Sequence, residues 1–160
     1  MHFNRILFNI VASSLLITFF SSCDPQRLYE ENKKIDNHAW HQSKPLQFFV
    51  SIKDTVSRHN VLINIRHTGN YRFSNLYLFI NTFFPQGQIQ RDTLECILAS
   101  PEGEWYGEGL GNIRNYQVLF KRGVIFPQVG EYRFELIQAM RINPLPGITD
   151  AGIRIEKAGD

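Results

Sequence analysis

Histidines are the residues of this 160-residue chain whose spacing first suggests chemistry. His38 and His41 lie three positions apart, so on a helix they would share one face and could begin a metal site. Asp36 is close in sequence, and His59 and His67 follow on later strands or turns, but none has the regular spacing of a zinc signature. We therefore expect solvated or structural histidines and predict no metal site.

Three glutamates in one loop, Glu102, Glu104 and Glu108, are the residue type that glycoside hydrolysis needs. That mechanism requires two carboxyl groups about 5 to 9 Å apart across a cleft, which loop spacing does not establish. The overlapping run 107–111, GEGLG, looks like a phosphate loop, but it lies between antiparallel strand candidates and does not begin a helix. The chain also has no Gly-x-Ser-x-Gly elbow. We expect a protein that is not an enzyme and that uses no nucleotide and no other cofactor.

Large aromatic side chains near predicted turns form the next candidate site. Trp40, Trp105 and Tyr106, together with Tyr71, could stack on a sugar ring or anchor a partner protein. Core packing explains the same residues, because most large aromatic side chains of a small sandwich are at least partly buried. We retain Trp40, Trp105 and Tyr106 as a candidate docking or ligand surface.

Cys23 has a sequence context that defines its chemistry. Residues 1–22 contain one charged side chain, Arg5, and an apolar run over 6–20, which is the size of a signal-peptide core. The segment 20–23, FSSC, resembles the bacterial lipobox, in which small residues precede a cysteine that is diacylated and becomes the new N-terminus. Phe20 replaces the usual leucine of that motif. We predict cleavage before Cys23 and lipidation of its thiol with fatty acyl chains such as palmitate.

The net charge and the second cysteine exclude further classes of partner and site. Removing residues 1–22 takes away Arg5 and no acidic residue, so the mature chain has one more basic than acidic group, and this balance predicts no nucleic-acid partner. If Cys23 is acylated, Cys96 has no partner for a disulfide. Alternation places Cys96 on one face with Leu94 and Leu98, so we expect a buried, inert thiol.

Hydrophobic alternation from residue 45 onward predicts the fold. Period-two runs separated by Gly, Pro and Asn turns, without an amphipathic helix of ten residues, indicate an all-β protein. We predict an antiparallel β-sandwich of about seven to nine strands, jelly-roll or immunoglobulin-like, with the topology left open. The predicted strands are 46–52, 61–65, 76–84, 90–98, 116–121, 131–139 and 152–156. The domain plan is a signal peptide over 1–22, a lipidated N-terminus and tether or short helix over 23–44, the sandwich over 45–156 and a polar tail over 157–160.

A series of segments along the mature chain carries a family resemblance. In order they read YRFSNLYLF, DTLE, GEWYGEGLG, FP with GEY, QAMR, LPGITDAG and RIE. In combination they resemble the gliding motility lipoprotein GldH family of Bacteroidetes, and the resemblance covers essentially all of the mature chain. It implies a lipid-anchored envelope protein of the gliding motility machinery, associated with type IX secretion, that is not an enzyme. Cys23, the acylated cysteine, is the one residue of this chain to which the resemblance gives a chemical role.

The resemblance and the anchor together lead to a functional hypothesis. Two or three acyl chains give durable membrane attachment, so Cys23 would hold the sandwich at a bilayer while a docking surface contacts other gliding or secretion envelope proteins. We expect the outer membrane, on its periplasmic side, although Asp24 after the cysteine would favour the inner membrane by enterobacterial rules. The alternative is a surface glycan-binding lipoprotein, which an aromatic-bearing sandwich on a lipid anchor would also fit.

Overall fold

The structure, a computed structural model, describes residues 24–159 and is built from two four-stranded antiparallel sheets. The strands are β1 (Arg27–Lys34), β2 (Ala39–Trp40), β3 (Leu46–Ile52), β4 (His59–Thr68), β5 (Asn75–Phe83), β6 (Ile89–Ile97), β7 (Ile113–Val124), β8 (Gly130–Gln138), β9 (Leu145–Pro146) and β10 (Ile148–Lys157). A 3₁₀ turn covers Asp36–His38. The prediction of an all-β antiparallel sandwich is confirmed.

Strand pairing decides the topology that the sequence left open. The first sheet has the order β1-β10-β4-β7, the second has the order β3-β8-β5-β6, and β2 pairs with β9. The pairs β1–β10, β3–β8, β4–β7 and β5–β6 therefore join the first long strand to the last, the second to the seventh, the third to the sixth and the fourth to the fifth. This wrapping of successive pairs is the jelly-roll arrangement.

The core lies between the two sheets and explains the alternation in the sequence. Along β4, buried and partly exposed residues alternate without interruption from His59 to His67, because successive side chains point to opposite faces of a sheet. The apolar run 76–84 corresponds to β5, which lies between β8 and β6 in its sheet. Cys96 is fully buried, and burial raises the pKa of its thiol to about 12, as expected for an inert cysteine.

The predicted tether is wrong for most of its length. Residues 27–34 form β1, which pairs with β10 over its whole length, and residues 35–40 continue through the 3₁₀ turn into β2. The strand escaped prediction because it lies at a sheet edge and its sequence, RLYEENKK, has no hydrophobic alternation. Backbone pairing with β10 holds it in place. At the other terminus, Lys157 ends β10 and Ala158 N–H donates to the Arg58 carbonyl, so the predicted polar tail is shorter than expected.

The sandwich has two ends that differ in character. We define the N-terminal end as residues 24–26 together with the connections 53–58, 84–88 and 125–129. Hydrogen bonds from Lys157 N–H to the Gln26 carbonyl (2.8 Å) and from Arg58 to the Gly123 carbonyl join its parts. We define the groove end as the segments 35–45, 69–74, 98–112 and 139–147. Among residues 24–159 no helix is long and apolar enough to cross a membrane.

Candidate functional site

An open groove lies at the groove end. It has a volume of about 830 Å³ and is open to solvent along its length. Its floor is the outer face of the first sheet, one wall is the segment from β1 to the 3₁₀ turn, and the other wall is the loop before β7. The lining residues are Lys34, Ile35, His38, Arg66, Glu108, Gly109, Leu110, Ile113, Asn115, Thr149 and Asp150.

The floor of the groove is a polar surface held in place by side-chain bonds. The guanidinium of Arg66 donates to the Asn115 amide oxygen and lies 3.7 Å from the Asp150 carboxylate. These three residues occupy directly paired positions on β4, β7 and β10, so the sheet register brings them together. The floor therefore carries a charged group of each sign in fixed positions.

A second, smaller concavity of about 510 Å³ continues from the first along the sheet. The Asn64 side-chain amide donates to Glu30 and to Asn32, each at 3.0 Å, and Gln117 donates to the Asn64 oxygen at 2.9 Å. Gly152 lies between Asn32 and Asn64 in the pairing, and a Cβ there would be 2.1 Å from the Asn32 oxygen. The hydrogen bonds that link Asn32, Asn64 and Gln117 therefore depend on a glycine at position 152, because a side chain there would displace Asn32.

Glycines bring the second wall of the groove against β7. Glu108 and Asn115 exchange two backbone hydrogen bonds, at 3.0 and 2.7 Å, so the loop adds a short paired segment to the sheet. A Cβ on Gly109 would be 1.8 Å from the Ile113 carbonyl oxygen, and only glycine permits this approach. The run 107–111 thus shapes a β-hairpin wall, in agreement with its rejection as a phosphate loop. Leu110 at its tip is 93% exposed.

The first wall of the groove has an unusual backbone. Asn37 and His38 both have φ of 52°, a left-handed conformation that is uncommon for residues other than glycine. The His38 carbonyl accepts a hydrogen bond from Gly147 N–H at 2.9 Å, which ties this wall to the β9–β10 turn. Tertiary pairing therefore maintains a turn that local preference alone would disfavour.

Trp40 does not form the docking surface predicted for it. The side chain is 1% exposed, belongs to the core, and donates from Nε1 to the Lys44 carbonyl at 3.3 Å. Its own carbonyl accepts from buried Gln138, whose side chain also donates to the Ile142 carbonyl and accepts from Met140 N–H. The prediction failed because β2 pairs with β9 and turns Trp40 inward, a long-range contact without a local signal.

Trp105 and Tyr106 lie on opposite sides of one strand-like segment. Trp105 is partly buried against the core, with its ring centroid 4.6 Å from that of His67 and 6.4 Å from that of Tyr71. Tyr106 is 38% exposed and its ring centroid is 5.7 Å from that of Tyr116. Of the three aromatic residues predicted for a surface, Tyr106 is the most exposed, and the three do not form one stacking platform.

The histidines occupy separate places in the described part of the chain. His59 and His67 are buried on β4, whereas His38 lines the groove. His67 Nδ1 lies 2.9 Å from the Thr68 carbonyl and Nε2 has no partner among residues 24–159, and burial lowers the pKa of this imidazole. No group of three metal-ligating side chains occurs within 24–159.

The three glutamates of the candidate hydrolase site do not converge on one cleft. Glu108 lines the groove, whereas Glu102 and Glu104 lie in an exposed turn in which the Ser100 hydroxyl accepts both of their backbone N–H groups. The hydrogen bond with Ser100 lowers the pKa of Glu102, whereas a general acid needs a raised one. Cys23 lies outside the described residues, so its lipidation stays a prediction.

The residues that build the groove were not predicted as a site. Arg66, Asn115 and Asp150 are far apart in sequence and meet through strand register. The polar positions between the apolar residues of β4 were the available signal, but alternation identifies an outer face without showing which strands adjoin it. No pattern in the sequence indicated that Leu110 would be an exposed residue at the rim of the groove.

Comparison with known proteins gives matches over almost the whole sandwich. The family model described as GldH lipoprotein matches residues 27–155. A protein of Christiangramia forsetii named gliding motility lipoprotein GldH homolog is 38% identical over 161 residues, covering 96% of this chain and 98% of the relative. Gliding motility lipoprotein GldH of Flavobacterium johnsoniae is 34% identical over 143 residues, covering 85% of this chain and 88% of the relative.

Solved structures give weaker similarities. The structure of the infectious bursal disease virus Gx strain matches with a TM-score of 0.36 and 12% identity, covering 90% of this chain and 36% of that one. The VP2 subviral particle of the same virus matches with a TM-score of 0.32, covering 90% of this chain and 37% of that one. No functional conclusion follows from scores this low. The family model and both relatives, in contrast, span most of the sequence, and the chain therefore belongs to the GldH lipoprotein family.

Proposed function

We propose that this protein is a lipid-anchored component of the gliding motility machinery that docks another envelope protein at its groove. The observation that carries the proposal is the match, over most of both chains, to relatives named gliding motility lipoprotein. The lipobox-like segment before Cys23 supports membrane attachment, because a family of lipoproteins needs one acylated cysteine. We further propose that the protein resides at the outer membrane, faces the periplasm and is associated with type IX secretion.

The geometry of the groove supports docking of a protein segment. On its polar floor Arg66 is already bonded to Asn115 and Asp150. Binding of a partner would therefore cost little side-chain entropy at these residues. Leu110 projects from the rim with almost all of its side chain in solvent, and burial of such a residue would contribute to binding. An exposed apolar tip beside an ordered polar floor suits a protein partner.

We propose no enzymatic role. Glycoside hydrolysis would need two facing carboxyl groups, whereas the groove holds Glu108 in the hairpin wall and Asp150 engaged with Arg66. The glycan-binding alternative loses its main support, because it relied on exposed aromatic faces and Trp40 is buried. Protein docking is therefore the function that these contacts favour.

Site-specific photo-crosslinking in living cells tests the proposal. A photoreactive residue replaces Leu110 in the lipidated protein, and a matched control carries it at Ser51, which is exposed on the outer face of the second sheet. We expect a crosslink from position 110 to a component of the gliding or type IX secretion machinery and none from position 51. A Cys23→Ala strain should lose both the membrane-bound protein and the crosslink.

Two results would contradict the proposal. A crosslink from position 51 alone would move the docking surface to the other sheet. Normal gliding and normal membrane attachment of the Cys23→Ala protein would remove the lipid anchor from the mechanism.

A further inference from the structure

The connection between the lipidated cysteine and the folded domain is very short. Three residues, 24–26, separate Cys23 from β1, and at about 3.3 to 3.6 Å per residue they reach roughly 11 Å at most. Two of the three are also fixed, since Asp24 is bonded to Arg154 and the Gln26 carbonyl accepts from Lys157 N–H. An acyl chain on Cys23 would therefore hold the N-terminal end of the sandwich against the bilayer.

The connections at that end expose aliphatic side chains. Val56 is 82% exposed, Val129 is 64% exposed, and Ile125 lies in the same connection as Val129 and is 46% exposed. The two connections are neighbours, because Ile52 pairs with Gly130 and His59 pairs with Val124. The turn at Val56 is rigid, because the Asp54 carboxylate accepts from the N–H groups of Val56 (2.8 Å) and Ser57 (2.9 Å). Fixed apolar tips clustered at one end of a domain mark an interaction surface.

The connection that carries Val129 is held just as firmly. The Tyr132 hydroxyl accepts from Gln128 N–H at 3.2 Å and donates to the Gln128 carbonyl at 3.1 Å. The Gln128 side chain also bonds to Gln86 of the neighbouring connection. The aliphatic tips are thus presented by an ordered backbone.

The charges at the N-terminal end favour an anionic surface. Lys53, Arg58, Arg122 and Lys157 make no ion pair within residues 24–159, and each lies at or beside the N-terminal end. Arg154 pairs with Asp24, Glu30 and Glu156, and Arg27 also pairs with Glu30, so this network keeps one net negative charge, while Asp54 caps its turn and Glu131 is exposed. The four basic groups without an ion pair exceed the remaining negative charges by one, and basic side chains around apolar tips suit a protein surface that contacts phospholipid headgroups.

We infer that the N-terminal end rests on the bilayer that holds Cys23, with Val56, Ile125 and Val129 among the lipid headgroups. This inference rests on the acylated Cys23 of the proposed function. The sandwich then stands upright, and β4, ten residues long, places the groove end roughly 33 Å above the membrane at about 3.3 Å per residue. Contact with lipid thus fixes the height and direction at which the groove meets its partner.

Depth-dependent fluorescence quenching tests this orientation. The full lipidated chain is reconstituted in vesicles of phosphatidylethanolamine and phosphatidylglycerol that contain nitroxide-labelled lipid. Single cysteines for a fluorophore replace Val56 or Val129, with Leu110 as the matched exposed control at the groove end and Phe49 as the control on the outer face of the second sheet. Buried Cys96 stays unlabelled. We expect the nitroxide to remove most of the fluorescence at positions 56 and 129 and very little at 110 and 49.

The outcomes separate the two proposals. If the protein floats with the vesicles but no position is quenched, the anchor holds and the bilayer contact is wrong. Quenching at position 49 would show that the sandwich lies on its side, which also overturns the inference. Failure to float would overturn the anchor itself.

A variant without labels provides a second measurement. In the double variant Val56→Asp, Val129→Asp we expect vesicle flotation to persist through the acyl chains, while hydrogen-exchange protection of residues 53–58 and 125–129 on vesicles is lost. Equal protection of the wild type with and without vesicles would contradict the bilayer contact.

Discussion

The tryptophans of the groove end and the valines of the N-terminal turns are placed in opposite ways. At the groove end Trp40 is buried under the β2–β9 pair and Trp105 packs against His67 and the core. At the N-terminal end Val56 and Val129 project into solvent from turns whose backbones are hydrogen-bonded. The long connecting segments of the groove end cover Trp40 and most of Trp105, whereas the turns of the N-terminal end leave Val56 and Val129 exposed. Val56 and Val129 are therefore free to contact a surface outside the domain, whereas Trp40 and Trp105 stabilise the fold.

Replacing Trp40 should have the largest effect on stability. Trp40→Ala removes a fully buried indole and leaves a cavity, so we expect a loss of about 3 to 5 kcal/mol in the free energy of unfolding. Val129→Ala at the other end should change it by less than about 0.5 kcal/mol. Urea denaturation of the two variants measures both values. Similar losses of stability in the two variants would contradict the difference in burial between Trp40 and Val129.

The hairpin wall should be the next most sensitive feature. In Gly109→Ala the new Cβ would collide with the Ile113 carbonyl, so the hairpin must shift, at a cost of about 1 to 3 kcal/mol. The neighbouring change Leu110→Ala, at an exposed tip, should cost less than about 0.5 kcal/mol. Denaturation measures the costs, and photo-crosslinking from position 110 should weaken in Gly109→Ala. An unaltered melting curve for Gly109→Ala would contradict the close approach.

Burial of His67 predicts a pH dependence that belongs to the groove end. Desolvation lowers the pKa of its imidazole below the ordinary 6.5, so the unfolded chain binds the proton more readily. Its contribution to stability is complete above pH 6.5 and is lost as the pH falls below that value, by at most about 1.4 kcal/mol per pH unit. His67→Gln should flatten the stability curve between pH 7 and 5. Parallel curves for the wild type and the variant would contradict this assignment.

The smallest effect concerns Asp24 at the N-terminal end. Its hydrogen bond from Arg154, followed by that from Gln26 N–H, lowers the pKa of this carboxyl below 3.8. The stabilisation is present above pH 3.8 and disappears as the pH falls through the lower folded value. In Arg154→Met the carboxyl should titrate closer to 3.8, whereas in Arg27→Met it should move far less, since Arg27 contributes least. Carbon-13 NMR titration distinguishes the variants, and equal shifts would contradict the pinning of residue 24 by Arg154.

Local patterning predicted most strands of the sandwich. The alternation of Leu46–Ile52 and of β4 reports burial directly, because every second side chain of a strand faces the core. The same logic failed for β1, whose polar edge sequence forms a strand through pairing with β10. It also failed for Trp40, since an aromatic residue near a turn is compatible with either side of the structure.

The amino-acid sequence by itself determined the fold class, the buried thiol of Cys96 and the family resemblance, because each rests on residue type and local order. The jelly-roll topology, the groove around Arg66 and the short span between Cys23 and β1 were decided by tertiary structure. The physical reason is that strand pairing joins residues distant in sequence, and local patterns carry no information about which strands will become neighbours.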